Sequence, residues 1–103
     1  MPADASGCPP PVPVVEHEPQ EHRFVASVGG LSAELVYERD GGQLVMVHTW
    51  VPVELRNQGL AGRLVEAAVQ FCQQEGLVAV GSCSYARAWL RHNARRFPGL
   101  EVR

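Results

Sequence analysis

Residues Val51–Val65 constrain the fold more than any other part of the chain. They carry an apolar strand pattern into an amphipathic helix through the turn Arg56-Asn57-Gln58-Gly59-Leu60-Ala61. A helix that begins here leaves its first amides without intrahelical acceptors, and its dipole places partial positive charge at the same point. Such a turn presents several N–H donors to an anion, a phosphate or pyrophosphate above all. Gly59 permits close backbone approach, and the small Ala61 keeps the same face open. Arg56 and Arg63 flank the turn with guanidinium groups suited to phosphate oxygens. The turn alone fits any phosphate-bearing ligand, or a well-made connection and nothing more. It is not the dinucleotide fingerprint, because G-x-G-x-x-G is absent, and a chain without lysine has no P-loop.

The flanking segments predict an α+β domain. Phe24, Ala26 and Val28 alternate, Gly29-Gly30 makes a two-residue turn, and Leu31, Ala33, Leu35 and Tyr37 alternate again, which is a hairpin signal. A second turn at Asp40-Gly41-Gly42 leads into Leu44-Val45-Met46-Val47, completing an antiparallel three-strand meander. From Gly59 to about Glu75, Leu60, Leu64, Val65, Ala68, Phe71 and Cys72 recur at helical spacing, and Gly76 stands where a C-terminal cap belongs. Leu77–Val80 reads as a buried fourth strand, parallel to the third because a helix has carried the chain back. A last helix is expected from about Tyr85 to Arg95, before Pro98. In such sheets ligands gather where parallel strands end. That edge brings together His48, the Arg56–Ala61 turn and Cys83.

At 103 residues and 46% hydrophobic content, one domain with one modest core is expected. Six of the eight prolines fall within residues 1–19, so residues 1–20 read as a disordered, Pro-rich tail and residues 21–103 as the domain. Charge divides unevenly. Residues 1–55 hold eight carboxylates and two arginines, while residues 56–103 hold seven arginines and three carboxylates. The basic half is the one with the anion turn. Cys8, Cys72 and Cys83 are an odd number without C-x-x-C, and the histidines complete no zinc spacing, so neither disulfides nor a metal is expected. A reducing cytoplasm fits these thiols. No apolar run reaches membrane-spanning length, no signal sequence is apparent, and the basic–aromatic interleaving of nucleic-acid readers is missing.

Two residues at the sheet edge carry candidate chemistry. Cys83 follows the buried strand and precedes a helix, whose dipole favours a thiolate, so it reads as a nucleophile or as a neighbour of the transferred group. A buried small hydrophobe is the competing reading. His48 ends the adjacent strand, where an imidazole can take a proton from an attacking ammonium or polarise the cysteine, or simply serve the structure.

The pattern Val-Pro-x-x-x-Arg-x-x-Gly-x-Ala followed by Leu-Val resembles motif A of the GNAT superfamily of N-acetyltransferases. His48-Thr49-Trp50-Val51-Pro52, Cys83-Ser84-Tyr85-Ala86, Trp89-Leu90 and Phe97-Pro98 add similarity to small YjdJ-type acetyltransferase domains. The resemblance runs from about Glu21 to Leu100. It implies that the Arg56–Ala61 loop, with Asn57, Gln58, Leu60 and nearby Arg63, holds the pyrophosphate of coenzyme A. It further implies that backbone N–H groups around Trp50-Val51 hold the acetyl-CoA thioester carbonyl, and that pantetheine lies between the two parallel strands. Cys83 would lie beside the thioester, and Tyr85 would be the general acid. The implied activity is acetyl transfer to an amine acceptor whose identity the sequence does not specify. A chain this short has few residues for a closed acceptor pocket, so an exposed amine, on a protein or a polyamine, is expected. The alternative is a catalytically weak CoA-binding or sensing module.

Overall fold

The computed structural model describes residues 14–103. The Pro9–Pro13 stretch and Cys8 lie outside the described residues. Period-two alternation produces the sheet: β1 (Val15–Glu18), β2 (Arg23–Val28), β3 (Leu31–Asp40), β4 (Gln43–Trp50) and β5 (Val78–Gly81). They stand in the order β1-β2-β3-β4-β5, antiparallel except for the parallel β4–β5 pair. Between β4 and β5 runs α1 (Leu60–Glu75), and after β5 comes α2 (Ser84–Asn93). The mixed α+β architecture is the expected one.

α1 buries the face expected of it: Leu60, Leu64, Val65, Ala68, Val69 and Cys72 are inside, against Leu35, Tyr37, Leu44 and Met46 of the sheet. Gly76 caps the helix in the left-handed region, its amide donating to the Cys72 carbonyl. α2 lies on the same face of the sheet. Gly81, registered with core-facing Met46, sits directly under its first turn, and a methyl there would come within 2.8 Å of the Arg87 backbone. A methyl at Gly62 would come 3.4 Å from Tyr85 Oη and Trp89 Nε1, so α1 and α2 also touch through a glycine. The C-terminal residues then line the outer edge of β5 through a parallel bridge between Ala79 and Val102.

The tail expected through residue 20 differs at its end. Val15–Glu18 form an edge strand paired with β2, followed by a 3-10 turn at Pro19–Glu21. The reason is His17. Its ring stacks on Phe24 with centroids 4.1 Å apart, meets Phe71 edge-on, and its Nε2 lies 2.6 Å from Tyr37 Oη. A histidine among glutamates and prolines gives no apolar alternation, so this anchor is invisible to hydrophobic patterning. Desolvation, with the nearby Arg39 guanidinium, lowers the His17 pKa from its usual 6.5. A depressed folded-state value means that the unfolded chain binds more protons near pH 6. This contribution to stability is therefore present above about pH 6.5 and lost as pH falls through the folded value. Urea midpoints should drop between pH 7 and pH 5, and His17→Leu should flatten that slope.

Candidate active site

β4 and β5 pair only as far as Met46 and Gly81. Beyond them the chain turns, and the amides of Ser82 and Cys83 both donate to the Met46 carbonyl at 3.0 Å. β4 continues to Trp50 against β3 but without β5, so the two parallel strands part and leave a gap beside Val47–Trp50.

Within β4 the register slips. Met46 is opposite Tyr37 and His48 is opposite Val36, which leaves Val47 without a partner, as a bulge. A bulge exchanges the faces of the strand that follows it. Leu44 and Met46 point into the core, and beyond the bulge Thr49, opposite Leu35, takes that side. His48 and Trp50 turn to the opposite side of the sheet, both exposed. The expected approach of His48 to Cys83 is therefore corrected: the side chain that meets the thiol is Thr49, with Oγ1 3.4 Å from Cys83 Sγ. An apolar Val47 suits either register, so composition gives no sign of the slip.

Cys83 caps α2. Its backbone is extended (φ −80°, ψ 152°), and its Sγ accepts the Ala86 N–H at 3.4 Å. The thiol thus sits at the helix N-terminus and next to the gap. Cys72, by contrast, is wholly buried in α1, and burial pushes its thiol up to about 11. In a Cys8→Ser background, iodoacetamide should label Cys83 well before Cys72, as peptide mass spectrometry would read out. Labelling of Cys72 first would contradict the arrangement.

The Arg56–Ala61 turn is built by two left-handed residues. Asn57 has φ +66° and Gly59 φ +77°, and together they swing the chain from the 3-10 turn Val53–Leu55 into α1. Arg63 N–H to Gly59 O, at 3.1 Å, opens the helical ladder, so the amides of Leu60, Ala61 and Gly62 precede it. Leu60 and Ala61, the first two of these residues, line a groove of about 350 Å³. Val51, Arg56, Asn57, Gly59, Leu60 and Ala61 line it, together with Leu55 and Tyr85. Arg56 Nε donates to the Val51 carbonyl at 3.2 Å, holding the guanidinium at the rim. Partial burial pushes the Tyr85 phenol above its usual 10.

Trp50, Gln58 and Arg63 do not line the groove. Arg63 is exposed on α1, and Gln58 turns back to the Glu54 carbonyl at 3.4 Å. Tyr85, which lines the groove, stands two residues after the capped thiol, in the first turn of α2.

The sequence model of the GCN5-related N-acetyl-transferase family matches residues 23–97, from β2 to just past α2. The chain belongs to this family. Human Protein NATD1 is 34% identical to it over 90 residues, spanning 84% of the chain and 77% of the relative. Its mouse counterpart is 35% identical over 82 residues, spanning 77% and 74%. The solution NMR structure of a GCN5-like protein from Staphylococcus aureus superposes with a TM-score of 0.64 at 25% identity, covering 87% of this chain and 90% of that one. The GCN5-related match thus spans every element that borders the groove.

Proposed function

We propose that this small GCN5-related domain is an acetyl-CoA-dependent N-acetyltransferase acting on an amine in a reducing, cytoplasmic setting. The observation that carries this reading is the groove at the start of α1, which combines two lining residues, Leu60 and Ala61, whose amides precede the helical ladder, with Arg56 and an unobstructed Gly59. That donor set suits a pyrophosphate. The gap beside Val47–Trp50 leads from it and suits a pantetheine arm. There the Trp50 and Val51 backbone is the proposed holder of the thioester carbonyl.

Acetyl-CoA supplies the activated acyl group. The chain's residues align the acceptor amine with it and move two protons. As the new C–N bond forms and the C–S bond breaks, the amine loses a proton and the departing sulfur gains one. Tyr85, protonated at neutral pH, is the proposed donor to sulfur. His48 faces the other side of the sheet and is the proposed proton acceptor from the amine. Cys83, held by Thr49 and Ala86, lies beside the reacting atoms, and a route through an acetyl-Cys83 thioester, formed by exchange with release of CoA, uses the same geometry.

Calorimetry with acetyl-CoA, followed by turnover of a panel of amines, tests the reading. Tyr85→Phe should cut kcat at least tenfold with acetyl-CoA affinity unchanged, the mark of a group that acts only in the transition state. Arg56→Ala should weaken binding by about 1–2 kcal/mol, as for a charge-assisted contact at a partly solvated phosphate. Binding of acetyl-CoA without transfer to any amine would favour a CoA-binding or sensing module.

A further inference from the structure

Both helices cover one face of the sheet, and no described element covers the other. The strand register lays out that open face. Glu16, Val25, Glu34 and Trp50 form one row across β1–β4, and Glu18, Arg23, Val36 and His48 form the next. Glu38 and Asp40 continue the face along β3. Five carboxylates on these strands thus stand against a single guanidinium, Arg23, which already pairs with Glu18 and Glu34. Half-buried valines floor the face, and Trp50, 47% exposed, presents its indole at the end that adjoins the β4–β5 gap. At the far corner Glu18, Pro19, Gln20, Glu21 and Arg23 line a shallow hollow of about 500 Å³.

These features select an acceptor. A small amine metabolite needs a concave site that encloses most of its surface. A broad open face suits a chain segment, and this one, with its negative balance and exposed indole, suits a cationic segment through ion pairing and cation–π contact. From the β4 edge at the gap to β1 at the hollow is three strand spacings, roughly 14 Å. An extended chain covers that in roughly four residues.

We propose that the acceptor is a lysine on an extended basic segment of another protein, laid across this open face. The ammonium enters the gap beside Trp50 and His48, and a second basic side chain roughly four residues away occupies the Glu18–Glu21 hollow. This inference rests on the acetyltransferase reading for its chemistry, while the docking itself can be measured without acetyl-CoA.

The test uses a nine-residue peptide with one lysine and an arginine four positions on, its Nε-acetylated form, and spermine. Added to 15N-labelled full-length protein without acetyl-CoA, the free peptide should shift amides of Val25, Glu34, Val36 and His48 and leave α1 and α2 unmoved. In turnover, Glu16→Gln/Glu21→Gln should raise the peptide KM about tenfold with acetyl-CoA affinity unchanged, and moving the arginine next to the lysine should raise it similarly. Shifts confined to the helical face, no shifts at all, or an unchanged KM in the double variant would overturn the proposal, as would a higher kcat/KM for spermine than for the peptide. Loss of the underlying reading would look different: no heat with acetyl-CoA, while the shift map still reports on the face.

Discussion

Replacing Gly59 with valine is expected to remove acetyl-CoA binding from a protein that still folds. Gly59 sits at φ +77°, and a Cβ built on it meets no protein atom within 4 Å, so the added side chain enters the groove and not the core. There it occupies the space in which an anion would approach the Leu60 and Ala61 amides. Valine in the left-handed region also carries about 1–2 kcal/mol of backbone strain. Gly59→Ala separates the two effects, since it brings strain with less bulk. Calorimetry should find no detectable binding for the valine variant and a weakened, measurable affinity for alanine. A folded Gly59→Val protein with wild-type affinity would remove the turn from the ligand site.

Among the described glycines, Gly81→Ala should produce the largest loss of stability through steric overlap. The new Cβ would come 2.8 Å from both Arg87 N and Arg87 Cα and 3.1 Å from the Ala86 carbonyl carbon, all backbone atoms that no rotamer change can move. α2 has to lift from β5. Overpacking of this kind costs about 3 kcal/mol. For a domain of this size that lowers the melting temperature on the order of 15 °C. The shift also carries Cys83 and Tyr85 with the helix, so iodoacetamide labelling of Cys83 should change in the same variant. A melting point within about 3 °C of wild type would show that α2 packs more loosely than its contacts indicate.

What could be read in advance follows the physics of pattern. Leu44, Met46 and Leu35 announce their strands, and Leu60, Leu64, Ala68 and Cys72 announce α1, because burial imposes a period on apolar residues. The Arg56–Ala61 turn was legible for a different reason: Gly59 and the helix start that follows it are local chemistry. Two features were not legible. β1 is held by His17 through stacking and a hydrogen bond to Tyr37, which are contacts between residues twenty positions apart. The bulge at Val47 depends on pairing with β3, and it alone decides that Thr49 meets Cys83 while His48 does not.

The parting of β4 from β5 has a dynamic consequence. Up to Met46 the strand is hydrogen-bonded on both sides. From Val47 to Trp50 its only strand partner among the described residues is β3. Main-chain groups on the open side must find water or a bound molecule. Amide hydrogen exchange should therefore step up sharply along a single strand, slow at Leu44–Met46 and fast a few residues on, because local opening there breaks fewer contacts. A molecule seated in the gap would complete the missing half of the ladder, so binding should be visible as slowed exchange at Val47–Val51 even where no atom moves far.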